Sequence, residues 1–194
     1  LVVIIGGLVG CVNGFFVGKL HLAGIVATIG TQVMLRGVCY ILTGGRPVSG
    51  LPQSFTRISK MYMMGIPISF VVMIVLFVIA IVVMQRTTFG IRIHAIGYNA
   101  KASQFSGIPA DRIKFWLFVL SGSIAALASM FMLMRFASAE SEFANSYDTQ
   151  TLTAILLGGI SISGGSGNMF GALLGLVSVS ILKNGLNHLG VASI

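Results

Sequence analysis

The sequence predicts an all-α, polytopic helical membrane protein. Of its 194 residues, 56% are hydrophobic and only 8% are charged, whereas soluble domains carry about 25% charged residues. A soluble fold of this size has too large a surface to hide so many apolar side chains. The 25 glycines fit the small residues that let membrane helices pack closely. Lipid is therefore the solvent expected around much of the chain.

Apolar runs of membrane-spanning length predict about six membrane segments, since a spanning helix needs about 20 apolar residues. The first four runs are 1–17, 22–42, 64–84 and 115–134. Uncharged sequence then continues from 152 to 182, where glycines interrupt it. We expect this last run to form two short, tightly packed helices joined by a Gly/Ser turn. Together the segments would form a single transmembrane domain over 1–194.

The distribution of basic residues orients these segments, because cytoplasmic loops of membrane proteins are rich in Lys and Arg. Residues 85–114 hold five bases against one acid, Asp111, and should be cytoplasmic. Residues 135–150 hold one base and three acids and should lie outside. Residues 43–61 should also lie outside, although that loop contains the bases Arg46, Arg57 and Lys60. The net charge of +8 is thus explained by topology, and we expect no nucleic acid partner.

The 85–114 loop is too long for a plain connector and contains helix signals. Asn99 is a favoured N-cap residue. Residues 100–106 then predict a short helix that carries Ala102 and Phe105 on one face. The alternative is an amphipathic connector that lies on the lipid headgroups.

A sharp corner is expected after this short helix. Gly107 suits the position that follows a helix end, where the backbone is left-handed. Pro109 suits the first turn of a second short helix, and Asp111 favours the positive end of its dipole. The chain should therefore turn at Gly107 and Ile108.

Four stretches, in the same order and spacing, resemble the permease subunits of ribose-type ABC importers for carbohydrates. The first is ATIGT at 27–31 with Arg36-Gly37. The second combines TFG at 88–90, AIG at 95–97, SGI at 106–108 and Lys114. The third is ILLGGISISGGSG at 155–167, and the fourth is NGLNHLGV at 184–191. Ile91 and Tyr98 depart from the family, where a basic and a small residue are common.

The resemblance implies a type II-like importer permease of about ten spans in the inner (plasma) membrane of a bacterium. Such a subunit works with a second permease copy or a paralogue. It also works with two ATPase subunits, which use ATP and Mg, and with a periplasmic sugar-binding protein that delivers a monosaccharide. The chain itself would bind no cofactor and catalyse no reaction. It would be a fragment that lacks both ends, since it has no initiator Met and begins and ends in apolar sequence.

The resemblance also implies that the 85–114 loop couples the permease to the ATPase. Its short helix would dock into a groove of the partner, with Asn99 as the cap and Gly107 as the corner. Ala102 and Phe105 would face the groove. The residues implicated are Gly97, Asn99, Ala102, Phe105, Ser106, Gly107 and Ile108.

Candidates for the translocation path are the polar and glycine residues within the spans. Asn13, Thr31 and Gln32 are uncharged hydrogen-bonding residues that suit a neutral, polyhydroxylated cargo, although hydrogen bonds between helices are the simpler explanation. Arg36, the one charge well inside a span, would either contact sugar hydroxyls or reach out to the headgroups. Gly164 and Gly165 would let two helices approach beside the path, and bulky replacements there should abolish transport.

Two other classes of function compete with this interpretation. A secondary carrier usually needs ionisable groups within the membrane, but all four acids lie outside the apolar runs. A membrane-embedded enzyme would need paired carboxylates or a His cluster, and the three histidines are scattered. The sequence contains no GxxxxGK[ST] phosphate loop, and its two cysteines show no metal-ligand spacing, so we expect no metal site. ATP hydrolysis on a partner chain fits best.

Overall fold

The computed structural model describes residues 1–52, 55–56, 62–63, 65–140, 147–162 and 164–190. Its helices are α1 Val2–Gly18, α2 Gly24–Thr43, α3 Ile68–Arg86, α4 Thr88–Tyr98, α5 Ala100–Phe105, α6 Ala110–Phe136, α7 Tyr147–Leu157 and α8 Met169–His188. Its strands are β1 Val48–Ser49, β2 Tyr62–Met63, β3 Ile66–Pro67 and β4 Ser138–Ala139. Some residues that entered the predictions lie outside the described part: Arg57, Lys60, Met64, Glu142, Ser163 and Val191.

The chain divides into two compact units. The first consists of Leu1–Ala80 and Pro109–Phe143, and the second of Ile81–Ile108 and Ala144–Ile194.

In the first unit, α1 packs antiparallel along α6 through a stripe of glycines at every fourth position. These glycines lie against the α6 backbone: a Cβ on Gly10 would be 2.8 Å from the Val119 Cα, and one on Gly18 would be 2.9 Å from the Asp111 carbonyl oxygen. Side chains would hold the helices apart, so glycine spacing sets their close approach. The stripe comprises Gly6, Gly10, Gly14 and Gly18.

The remainder of the first unit contains α2 and two small antiparallel strand pairs. Helix α2 ends at Gly44, whose φ of 61° is the left-handed conformation that glycine adopts without steric cost. Strand β1 pairs with β4, Val48 opposite Ala139, and β2 pairs with β3. The β1–β4 pair joins the 43–61 and 135–150 segments, which the charge pattern predicts on the same side of the membrane.

In the second unit, α7 and α8 form a close pair, as the sequence predicts. A Cβ on Gly158 would lie 2.7 Å from the Gly171 carbonyl carbon. One on Gly175 would overlap the Ala154 carbonyl oxygen. The prediction that both helices are short is wrong for the second, because α8 has 20 residues. The glycines between Gly158 and Gly167 separate the two helices, and the apolar sequence after them continues as one helix.

Within the part of the chain that the structure describes, four helices are long and apolar enough to cross a membrane: α2, α3, α6 and α8. Helix α1 is apolar but shorter, with 17 residues, and α7 has 11. Helix α3 contains no buried residue, as expected of an apolar helix whose sides contact lipid. The molecule is thus a multi-pass helical membrane protein, and the number of six segments stays a prediction.

The structure corrects two expectations about residues 85–114. Residues 88–98 form α4, which the sequence analysis missed because Gly90 and Gly97 are poor helix formers. The second short helix expected after Pro109 is instead the start of α6, whose 27 residues extend about 40 Å. That length exceeds a hydrocarbon core of about 30 Å, so α6 runs beyond the membrane at its polar first turn.

Candidate functional site

Helix α5 begins with the predicted cap. The Asn99 side-chain oxygen accepts a hydrogen bond from the Ala102 backbone N–H at 3.0 Å. This bond satisfies one of the amides that a helix leaves unpaired at its start. A six-residue helix is otherwise marginal, so the cap helps to fix its direction.

The end of α5 is a complete Schellman motif. The Ile108 N–H donates to the Ser103 carbonyl, and the Gly107 N–H donates to the Gln104 carbonyl, both at 3.0 Å. Gly107 has a φ of 80°, which confirms the left-handed corner predicted there. Because both ends are tied by hydrogen bonds, residues 100–108 form a defined corner, called the α5 corner below.

The α5 corner presents an apolar face to its surroundings. Phe105 is 94% exposed and Ala102 is also exposed, while Ser103 between them is buried. Transfer of an exposed aromatic ring from water into an apolar site is favourable. The α5 corner therefore holds Phe105 exposed on a short helix whose two ends are fixed.

Gly97, at the end of α4, meets the loop between α7 and α8 within the second unit. A Cβ on Gly97 would overlap the Gly165 backbone nitrogen and would lie 2.8 Å from the Gly165 Cα. A Cβ on Gly165 would in turn lie 2.8 Å from the Tyr98 nitrogen. The sequence analysis assigned Gly97 to coupling and the Gly164–Gly165 pair to the path, and the structure brings the three glycines together.

A cavity of about 280 Å³ lies beside this glycine contact. The His94 ring nitrogen Nδ1 is 2.9 Å from the Gly90 carbonyl oxygen, which holds the imidazole along α4. The Asn168 side chain caps α8 by accepting from the Phe170 N–H at 3.1 Å. Among the described residues, the lining offers neutral polar groups and no carboxylate, so it can hydrogen-bond uncharged hydroxyls. Its polar side chains are Gln85, His94, Ser161, Ser166 and Asn168.

Sequence reasoning did not find this cavity. Gly90, His94 and Gly97 follow one another at helical spacing, four and three residues apart, so they share a face of α4. That spacing indicates a shared face only if residues 88–98 form a helix, and the sequence analysis predicts no helix there.

Two of the path candidates in the first unit bind each other. The Thr31 hydroxyl donates to the Asn13 side-chain oxygen at 2.6 Å and so joins α2 to α1. The same hydroxyl oxygen is 2.9 Å from the Ala27 carbonyl of its own helix. The Thr31–Asn13 bond is thus a hydrogen bond between helices, the simpler explanation for polar residues within the spans. Gln32 and Arg36 are half-buried on α2.

Comparison with known proteins gives consistent matches along the chain. The family model described as the branched-chain amino acid transport system permease component matches residues 1–193. The ribose import permease protein RbsC of Bacillus subtilis is 38% identical over 183 residues, or 93% of this chain and 57% of that protein. Its Haemophilus influenzae counterpart is 34% identical over 197 residues, or 100% of this chain and 61% of that protein.

A relative named for a different sugar is also similar. The L-arabinose transport system permease protein AraH of Escherichia coli is 30% identical over 181 residues, or 93% of this chain and 55% of that protein. The chain thus spans somewhat more than half the length of these relatives. No solved structure matches it. By its family match and its shared sequence, the chain belongs to the permease component family of the branched-chain amino acid transport system type, alongside the ribose import permeases.

Proposed function

We propose that this chain is part of the membrane-spanning permease subunit of an ATP-driven ABC importer that carries a monosaccharide across a bacterial inner membrane. The family match and the relatives named for ribose and L-arabinose support this proposal. A second permease copy or paralogue and a periplasmic sugar-binding protein complete the importer. Separate ATPase subunits use ATP and Mg, and this chain is not an enzyme.

The exposed Phe105 on the α5 corner carries the coupling part of the proposal. Its ring is 94% exposed on a helix that Asn99 caps and Gly107 ends. Burial of a phenylalanine ring is worth roughly 1.5–3 kcal/mol, which suits the centre of a small interface. The ATPase subunit would receive Phe105 and Ala102 in a groove, while Ser106 and Ile108 hold the corner in shape.

Movement of the α5 corner can pass to the α7–α8 loop through Gly97. Asn99 joins α5 directly to the end of α4, and Gly97 lies two residues earlier against Gly165. Backbone contacts of this kind contain no flexible side chain that could absorb a displacement. A push on α5 would therefore shift the Gly164–Gly165 loop, which we assign to the translocation path. In the first unit, Gln32 and Arg36 are our separate candidates for contact with the cargo.

The neutral lining of the cavity beside Gly97 fits this cargo. Sugars offer hydroxyl groups and no charge, and hydrogen bonds to neutral side chains are weak enough to release them. Carrier specificity would then come mainly from the sugar-binding protein that delivers the cargo.

The coupling proposal predicts that Phe105→Asp removes the ATPase from the complex. A buried carboxylate in an apolar groove costs several kcal/mol, so copurification of the ATPase with the full-length subunit should fall at least about tenfold. Gly107→Pro should act similarly, because proline cannot adopt a φ of 80°. Copurification from membranes, normalised to the amount of inserted permease, measures both variants.

Phe105→Leu is the matched control, because it keeps an apolar side chain at the same position and should retain the ATPase. Equal copurification of Phe105→Asp and Phe105→Leu would contradict docking through the α5 corner. If no ATPase associates with the unaltered subunit, and uptake responds to uncouplers and not to vanadate, a secondary carrier replaces the importer.

A further inference from the structure

A second cavity, of about 300 Å³, lies in the first unit where α1 ends beside the start of α6. Its lining includes two bases, Lys19 and Arg112, and the aromatic residues Phe15, Phe115 and Trp116. Neither the α5 corner nor any path candidate contributes to it. The transport proposal does not explain why this cavity combines two bases with three aromatic residues.

The glycine stripe explains why a cavity forms here. Gly14 and Gly18 bring α1 against the backbone of α6, since a Cβ on either would be 2.9 Å from a carbonyl oxygen of Phe115 or Asp111. Just beyond this contact α1 ends, and Lys19 and His21 leave the helix. The two helices are thus in contact below the cavity and open above it.

The charges at the rim leave a positive balance. The Lys19 ammonium lies 5.5 Å from the centroid of the Phe15 ring, a cation–π contact that holds it at the opening. Asp111, the one acid in the lining, lies 3.9 Å from the His21 ring and has further interactions. The lining therefore holds two bases, Lys19 and Arg112, against this one acid.

The sequence around this cavity is typical of the membrane interface. Trp116 is 62% exposed and stands one helical turn after Arg112, at the start of the apolar run 115–134. Tryptophan concentrates at the membrane interface, where its ring spans the apolar and polar layers. At that interface we expect the two bases to meet lipid phosphates and the aromatic rings to meet the first acyl carbons.

We propose that this cavity binds the phosphate of an anionic phospholipid, with Lys19 and Arg112 as its ligands and the aromatic walls against its glycerol and upper acyl carbons. Basic cavities between membrane helices bind such headgroups in general, and the apolar walls distinguish a lipid from a soluble anion. The site would hold a lipid against the α1–α6 contact. This inference does not depend on the proposed transport function.

Native mass spectrometry of the delipidated full-length subunit tests the site, with phosphatidylglycerol, phosphatidylcholine and inorganic phosphate as probes. Phosphatidylglycerol should bind at least about tenfold more tightly than phosphatidylcholine, and inorganic phosphate should bind much more weakly than either lipid. The double variant Lys19→Gln/Arg112→Gln should lower phosphatidylglycerol affinity about thirtyfold and phosphatidylcholine affinity much less, because the choline cation already offsets the phosphate charge of that lipid.

Two further variants keep the result interpretable. Lys183→Gln/Arg135→Gln removes the same charge elsewhere and should bind like the unaltered protein. Lys19→Arg/Arg112→Lys keeps both charges and should restore binding to within about threefold. Equal binding of the two lipids, equal loss in both Gln variants, or inorganic phosphate binding as tightly as phosphatidylglycerol would each overturn the proposal. If Lys19→Gln/Arg112→Gln does not fold, the three probes on the unaltered protein decide.

Discussion

At the scale of single residues, the same amino acid has different roles at neighbouring positions. Gly158 lies against Gly171 where α7 and α8 touch. Gly159 next to it ends α7 with a φ of 75°, and the N–H of Ile160 donates to the Ile155 carbonyl as in the α5 corner. A Gly-Gly pair therefore supplies both a helix contact and a helix end. This explains why 25 glycines cannot be interpreted by number alone.

Thr31→Val tests whether the Asn13–Thr31 hydrogen bond is structural. Valine keeps the shape of the side chain and removes the hydrogen-bond donor. The free energy of unfolding should therefore fall by about 0.6 kcal/mol, with an upper limit of about 2 kcal/mol. Sugar uptake at matched expression should be retained. Thermal denaturation in detergent and uptake assays measure the two effects.

Thr28→Val is the control, because the Thr28 hydroxyl donates to the Gly24 carbonyl of its own helix at 2.9 Å and bonds to no other helix among the described residues. It should leave stability unchanged. Loss of uptake in Thr31→Val without loss of stability would assign Thr31 to the translocation path instead.

Gly97→Ala tests the contact between α4 and the α7–α8 loop. The added methyl group would overlap the Gly165 backbone, and such overpacking costs about 1–3 kcal/mol. Uptake should fall strongly, because the loop can no longer seat against α4. Gly185→Ala on α8 has open space around it and should be neutral or stabilising by up to about 1 kcal/mol. Identical behaviour of the two variants would show that Gly97 is not a contact point.

At the scale of whole elements, α1 depends on α6 more than α2 depends on any described neighbour. The glycines of α1 face backbone atoms of α6, while Gly30 and Gly37 of α2 have no atom within 4 Å of an added Cβ. Helix association in lipid relies on packing rather than on the hydrophobic effect. Helix α1 therefore requires its glycines, and α2 does not.

Gly10→Ala/Gly14→Ala should accordingly separate α1 from α6 and lower the amount of folded protein recovered from membranes several-fold. Gly30→Ala/Gly37→Ala makes the same chemical change on α2 and should give normal recovery. Fluorescence-detected size-exclusion chromatography measures both. Equal recovery of the two double variants would mean that α1 does not rely on the glycine stripe.

At the scale of the molecule, the strand pair β1–β4 and the antiparallel α1–α6 pair agree with one membrane orientation. Strands β1 and β4, Val48–Ser49 and Ser138–Ala139, pair with each other within the first unit, where α6 ends. Lys19 and Arg112 meet at the end of α6 where it begins. The positive-inside rule then assigns the second end to the cytoplasm.

Cysteine labelling tests this orientation. In a Cys11→Ser/Cys39→Ser background, Arg46→Cys and Glu140→Cys should react with a membrane-impermeant maleimide in right-side-out vesicles. Lys114→Cys should react only after permeabilisation. Labelling of Lys114→Cys in sealed vesicles, with protection of the other two, would invert the topology.

Much of the fold could be predicted because local patterns suffice for it. Apolar runs locate the long helices, and Asn99 and Gly107 mark the ends of α5 because caps depend on neighbouring residues alone. Helix α4 was missed because its glycines are unfavourable in isolation and are needed only for contacts with Met84 and Gly165.

The sequence by itself therefore determined that lipid surrounds this chain, where its long helices lie and that a capped corner follows Asn99. Hydropathy, charge and capping are properties of short segments, so no neighbour is needed to interpret them. Only the tertiary structure decided that Gly97 meets Gly165, that Thr31 binds Asn13 and that Lys19 and Arg112 share a cavity. Those pairs are distant in sequence, and the packing of helices, which no local pattern encodes, brings them together.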